Sequence, residues 1–400
     1  MIKNIKLYTW YFAATSFLAW MPVFFMFFSE RLSLSEVLKL EALYYIAVVI
    51  LEVPSGYFSD RIGRKKTLVL GAVFLCSAII LYILGNNLLT LSLGQLFFAA
   101  HMAFISGTNT VFHYESLQEL KLDEEYGERE AVVNKWGLIS GALGALAGGW
   151  LGSYQLVYAY WLSLGAALLA FILTLLFTEP LTSSPKSKSL NFFNQFKTTF
   201  SYLKQPRLLW IVGLFTVMYV MVHVPYEFYQ SILTILNEEN LLVISTASSM
   251  SGLLYAAAML IGALGAAYSI RLKNLVGTSS FLFLMYASII LIIGLMGYIL
   301  HPLIVFVIMM RSFSWSAVKA PIYEIITPQI KSHHRATFYS VISLISRAGF
   351  FALLIILSFV NGDHNSATWE SISFLLKICL LIGTIAIIPF ILTNKYSRNS

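Results

Sequence analysis

An all-α membrane protein of twelve transmembrane helices in two six-helix halves is the fold class that this sequence predicts, on three observations. Charged residues fill only 11% of the 400 positions and hydrophobic ones 58%, too few charges to cover a water-facing surface. Apolar runs long enough to cross a bilayer recur along the whole chain, whose mean hydropathy is +0.77. At roughly 20 residues per span plus a short loop, the length accommodates about twelve of them. A polar stretch, 179–206, interrupts the runs midway.

The first run, 7–28, follows Lys3 and Lys6 as the apolar core of a signal peptide would. It is too long for that, and no small-residue cleavage site follows, so it reads as an uncleaved helix. Further spans are expected near 38–58, 67–85, 89–112, 131–152 and 157–178, the fourth continuing as helix into "HYESLQEL". The stretch 179–206 opens with Ser, Pro and Lys, the composition of a flexible linker. It then sets Phe192, Phe193, Phe196, Phe200 and Leu203 at helical spacing among polar residues, which predicts a helix lying on the membrane surface. The second set is expected near 207–231, 243–269, 275–299, 302–326, 337–360 and 370–393. Two domains follow, an N-terminal half at 1–178 and a C-terminal half at 207–400, joined by the linker 179–206.

Charge orients this map. With the N-terminus inside, the inner segments hold twenty Lys and Arg residues and the outer loops only Arg31 and Lys39. Both termini are therefore expected in the cytoplasm, with Trp10, Trp136 and Trp210 at inner ends of spans and Trp150 and Trp369 at outer ends. The same bias accounts for the net charge of +7 without a nucleic-acid partner. Cys76 and Cys379 both lie in apolar runs, which excludes a disulfide framework and a Cys metal site. His333 and His334 are adjacent in a loop with no third ligand at useful spacing, so no metal is expected, and no cofactor.

The loop between spans two and three packs five charges into the seven residues from Asp60 to Lys66, behind Pro54 and Gly56 and around Gly63. Gly56, Asp60, Arg61, Gly63, Arg64 and Lys65 match every fixed position of G-x-x-x-D-R-x-G-R-K. In this the chain resembles the major facilitator superfamily, whose signature occupies that loop, and the preceding "EVPSG" is similar to a bacterial branch. The residue chemistry reads alongside. Gly56 lets another helix approach, Asp60 suits a helix N-terminus, and Arg64 offers a planar fork for a carboxylate. The resemblance implies a cytoplasmic gate that locks the two halves while the cavity opens outward. Asp60 would then meet the start of the eleventh span near Arg335, Ala336 and Thr337, and Arg64 would meet Glu115. A loop kept basic for orientation alone accounts for Arg61, Lys65 and Lys66 but not for Asp60 or the glycines.

Weaker echoes accompany the signature. In "GAAYSIRLKNLVG", 265–277, Gly265, Arg271 and Lys273 partly repeat it without the acid, as parallel repeats allow. In span five, Gly144, Gly148 and Gly149 match a glycine pattern of the family's antiporters, but Ala145 stands where that pattern has Pro. The simpler reading is helix packing, since Gly141, Gly144 and Gly148 share one face. Gln95 stands about where one branch of the family carries an Arg in span four.

Ionisable groups inside a bilayer are costly unless they face a cavity or a partner, so each is a functional candidate. The resemblance implies that spans one, four, seven and ten line the cavity. Arg311, Lys319, Trp315, Tyr226, His101 and Asn109 are the substrate-binding candidates, with Arg347 of span eleven near them. Glu227, one turn from His223 on the same face, is the leading proton carrier, with His223 and Glu52 also named. The simpler readings are that His101 only packs, that His113 and Glu115 are solvated at the inner edge, and that Lys377 snorkels.

No nucleotide-binding, H-E-x-x-H or G-x-S-x-G motif occurs, so neither an ATP-driven pump nor an enzyme is expected. The resemblance implies a secondary active transporter. Proton-coupled export of a small, polar or anionic organic molecule, an antiport, is the first expectation. Proton-coupled uptake of an organic anion or siderophore-like solute is the alternative, and a non-transporting receptor or assembly factor a third. The partners are the small-molecule substrate, protons and the lipid bilayer, for a monomer in a bacterial inner membrane.

Overall fold

Helices supply the regular structure of the computed structural model, which describes residues 1–180, 200–241, 246–330, 335–361 and 367–393. The side chains of Val53, Tyr57, Asp60, Gly127, Arg335, Ala336 and Thr337 are not among those described. The helices are α1 (Ile2–Ser16), α2 (Phe24–Ser29), α3 (Leu34–Ile62), α4 (Arg64–Leu84), α5 (Leu88–Ile105), α6 (Thr108–Gln118), α7 (Tyr126–Gly152) and α8 (Leu156–Leu175). They continue with α9 (Pro206–Glu238), α10 (Ala247–Val276), α11 (Thr278–Tyr298), α12 (Leu303–Ile326), α13 (Arg335–Asn361) and α14 (Trp369–Leu392). Among the described residues, ten helical segments are long and apolar enough to cross a membrane, and α3 and α7 add helices of 29 and 27 residues. The chain is a multi-pass membrane protein.

It divides into two compact units, Met1–Ser187 with Ser245–Ala256, and Lys188–Ile244 with Ala257–Ser400. The surface helix expected in the linker falls mostly on 181–199, outside the described residues.

Two of the expected spans are broken. The first stops at Ser16 and resumes at Phe24 after a short turn around Pro22. Neighbours satisfy the freed backbone, as an apolar setting demands: the Ser163 hydroxyl accepts from Trp20 N–H at 3.1 Å, and the Ser140 hydroxyl donates to the Ala13 carbonyl at 2.7 Å. The fourth span breaks at Ser106 and at Gly107, whose φ of +73° is a conformation that glycine adopts without strain.

The glycines of α7 fit against the first break. A Cβ on Gly148 would stand 1.8 Å from the Ala19 carbonyl oxygen, and one on Gly144 would stand 3.3 Å from the Phe17 ring. Gly149 meets the first turns of α10, where a Cβ would lie 2.7 Å from the Gly252 Cα. These glycines are contact surfaces between helices. Gly148→Val should therefore cost at least about 3 kcal/mol and yield aggregated protein on gel filtration in detergent. Gly165→Val, where a Cβ meets nothing within 4 Å, should elute as the wild type does.

Candidate functional site

Two side-chain clusters carry chemistry, one in each unit. The first lies at the turn from α3 to α4. Gly63 adopts φ +99° there, and α4 begins at the next residue, with its backbone N–H groups unspent. Glu179 fills that need: its Oε1 accepts from Arg64 N–H at 2.6 Å and its Oε2 from Lys65 N–H at 2.9 Å. A Cβ at residue 63 would stand 2.8 Å from the same carboxylate, so glycine is required twice over. With its backbone held, Arg64 turns its side chain to Glu115 on α6, Nε to Oε2 at 3.4 Å, and to the Ser59 hydroxyl at 2.9 Å. The Thr108 hydroxyl donates to Ser59 in turn at 3.1 Å. Arg61 is exposed, as a residue that serves orientation would be.

The second cluster joins α9, α12 and α13 in the C-terminal unit. His223 is held through Nδ1–H, which donates to the Tyr219 carbonyl at 2.7 Å, and Arg311, Arg347 and Lys319 all act on it electrostatically. Arg311 reaches α9 directly, with Nη1 3.4 Å from the Val222 carbonyl and its guanidinium 4.9 Å from the centre of the Tyr226 ring. Lys319 holds its ammonium 5.0 Å from the Trp315 ring, and Trp315 packs on Phe215 and Tyr219 at 5.2 and 5.6 Å. Arg347 donates from Nε to the Ser343 hydroxyl at 3.2 Å. Glu227, 0% exposed, follows Tyr226 on α9. Because Arg311 reaches residues 222 and 226, it sits within about a turn of Glu227, nearer in depth than a count along the two helices suggests. Cations, aromatic faces and one buried acid here form a setting for an anionic group.

The Major Facilitator Superfamily family model matches residues 7–354. The chain belongs to this superfamily. No curated protein matches it. Among solved structures, a mutant form of the nucleoside transporter NupG is similar with a TM-score of 0.82 at 12% identity, covering 97% of this chain and 100% of that one. A bacterial homologue of the iron transporter ferroportin, in an inward-facing state, gives 0.73 at 15% identity over 100% and 99%. A bacterial homologue of the human lysosomal transporter Spinster, inward-facing and unoccupied, gives 0.71 at 14% over 99% and 96%. At such identities the likeness is one of fold. As a member of the superfamily, the chain is a transporter of the alternating-access type and not an enzyme.

The remaining expected residues of this superfamily member are dispersed. His101 is buried between α4 and α5, its Nδ1–H donating to the Gly71 carbonyl at 2.8 Å. Asn109 accepts from the Tyr11 hydroxyl at 3.1 Å beside the aromatic core of Tyr8, Tyr11, Phe112 and Phe177. Glu52 is half-buried on α3. Asp60 and the residues 335–337 set against it have side chains outside those described. The close approach expected at Gly56 is absent among the described residues, since a Cβ there meets nothing within 4 Å. His113 is not solvated: it is 1% exposed, 2.6 Å from Glu130 and stacked on Tyr8. Trp210 is not an interfacial ring either, being buried with its indole N–H on the Phe390 carbonyl at 3.2 Å. Lys377 keeps its ammonium 4.8 Å from the Tyr298 ring.

Sequence reasoning missed Glu179 and Glu41. Glu179 is the first residue of the expected linker, and an acid before Pro180 at the end of a span is its visible signal. Glu41 falls inside the expected span 38–58 but is not named among its candidates; the S-x-x-E pattern at 33–36 is the signal that the helix starts earlier and carries Glu41 deeper. The glutamate that holds α4 is the one to perturb. Glu179→Gln should lower stability by about 1.5–3 kcal/mol, read as an earlier midpoint in thermal unfolding, because the amide keeps one neutral acceptor oxygen and turns an N–H₂ donor toward the other backbone N–H.

Proposed function

We propose that the protein exports a small organic molecule carrying a carboxylate or other negative group, in exchange for protons. The observation that carries this reading is the convergence of Arg311, Lys319 and Arg347 on His223 among aromatic rings. Inside a low-dielectric unit that excess of cations over Glu227 favours an anionic guest. Arg311 anchors it, because its fork holds a carboxylate by two bonds and keeps its charge. Trp315, Tyr226 and Lys319 supply aromatic and cationic contacts there, and His101 and Asn109 are the binding candidates of the N-terminal unit. Glu227 carries the proton, with His223 beside it: an anion that engages Arg311 changes the charge balance at Glu227, which links the two fluxes. The missing nucleotide motif supports an ion gradient as the driving force, and the glycines Gly144, Gly148 and Gly149, though they also pack helices, lend some support to exchange.

Twelve spans in two halves, 1–178 and 207–400, place both termini and the linker 179–206 in the cytoplasm of a bacterial inner membrane, with the chain acting as a monomer. The α3–α4 turn then faces the cytoplasm, and Gly56, Asp60, Arg61, Gly63, Arg64 and Glu115 form the gate, with Arg64 and Glu115 as its ion pair. Ala145 and Gln95, which depart from the antiporter patterns, favour a second reading, the proton-coupled uptake of an organic anion. Flux under pH gradients of either sign separates the two.

In proteoliposomes supplied with a panel of organic acids, Arg311→Lys should raise the half-saturating concentration about tenfold, the loss of roughly one charge-assisted bond. Glu227→Gln should abolish accumulation driven by a pH gradient and leave substrate exchange intact. Full gradient-driven transport by Glu227→Gln transfers the proton role to Glu52.

A further inference from the structure

The seam of α3, α4 and α5 in the N-terminal unit holds a carboxyl group that none of these roles uses. Glu41 lies about two turns beyond the Ser33 cap of α3 and is 7% exposed. Gln95 of α5 donates from Nε2 to Glu41 Oε1 at 2.8 Å, and Tyr82 of α4 donates its hydroxyl to Gln95 Oε1. Gln95 and Tyr82 are themselves buried. Gly94 makes the arrangement possible, since a Cβ there would stand 2.7 Å from the Tyr82 ring.

None of the described residues supplies Glu41 with a counter-ion. Among the described residues no Lys, Arg or His pairs with it, and Gln95 is the one side chain that bonds it. The titratable groups near it are phenols: Tyr44 on its own helix, Tyr82 from α4 and Tyr160 from α8. Arg31 and Glu30, ahead of α3, act on Tyr160, and His101 of α5 is committed to the Gly71 carbonyl.

We infer that Glu41 is a second proton-binding residue of this transporter, positioned by Gln95 and Tyr82. A buried carboxylate without a cation costs several kcal/mol, and a proton is a counter-ion that a packed seam admits without a cavity. Gln95 suits both charge states. Its own oxygen is held by Tyr82, so the amide cannot turn over without losing that bond, and its N–H₂ stays aimed at Glu41 Oε1 whether or not the carboxyl carries a proton. The use of that proton in transport rests on the proton-coupled reading above, while its binding does not.

Infrared difference spectra of the full-length protein in lipid, between acid and alkaline buffer, test this with the proton itself as the probe. A carbonyl-stretching band of a protonated carboxyl should be present in the wild type and in Glu227→Gln and be lost in Glu41→Gln. It should shift in Gln95→Leu, which removes the amide donor, and in Glu41→Asp, which serves if the glutamine variant does not fold. An unchanged band in Glu41→Gln, or an unmoved one in Gln95→Leu, overturns the inference. Flux is measured on the same preparations. Loss of the band with undiminished pH-driven flux overturns the role of Glu41 in transport. A wild type that keeps the band and shows no pH-driven flux instead removes the proton-coupled reading and leaves the Glu41 proton in place.

Discussion

A helix leaves its first backbone N–H groups unspent, and at the start of α4 one carboxylate, Glu179, meets that need and sets the geometry of the charged turn. Both oxygens of Glu179 are spent on the Arg64 and Lys65 N–H groups, each bond worth about 1.5–3 kcal/mol net because the acceptor is charged. The bonds fix the backbone of Arg64, and that fixes where its guanidinium points, to Glu115 and Ser59. One carboxylate thus ties the segment just after α8 to the first residues of α4 and, through Arg64, to α6. The break in the first span obeys the same rule, with Ser163 and the bare surface of Gly148 meeting the exposed backbone at residues 19 and 20.

The two units distribute deep charge in opposite ways. In the N-terminal unit a buried acid, Glu41, is answered by an amide and a phenol. In the C-terminal unit three cations gather around a histidine and a tryptophan, with one buried acid beside them. At the charged ends of the helices the units are alike. Lys273 at the end of α10 pairs with Glu324 near the end of α12 at 2.6 Å, much as Arg64 pairs with Glu115. Such a likeness is what two halves related as parallel repeats leave behind after their sequences diverge. In each unit a basic residue at the turn between two long helices is tied to the span after the next, by residues of that unit's own.

Much of the fold was legible in the sequence because hydrocarbon imposes one requirement at every span, a run of apolar residues of fixed length. The family was legible too, since the loop signature from Gly56 to Lys65 is short but fixed at six positions. What escaped was tertiary. A helix break at Ala19 needs the knowledge that Gly148 and Ser163 face it, and nothing local to residues 17–20 supplies that. Trp210 and His113 were assigned to the interface by their place near span ends, yet each found a buried partner, the Phe390 carbonyl and Glu130. An acid at the edge of an apolar run reads as solvated, which hides both Glu179 and Glu41. For Glu41 the earlier start of α3 carries it a turn deeper, into the seam, whereas the role of Glu179 shows only when the start of α4 is found against it. For the site, residue type alone singled out Arg311, Lys319, Trp315 and His223, whereas depth along separate helices did not show how near Arg311 lies to Tyr226.

The fluorescence of Trp315 measures the anion site most directly, because Lys319 rests over that indole and a guest that draws the ammonium away must change the emission. The signal is the difference between wild type and Trp315→Phe as organic acids are added to the purified protein, each compared with its uncharged methyl ester. A site built for an anion gives a saturable change with the acid and none with the ester. An equal response to both, or the same response in Trp315→Phe, contradicts it.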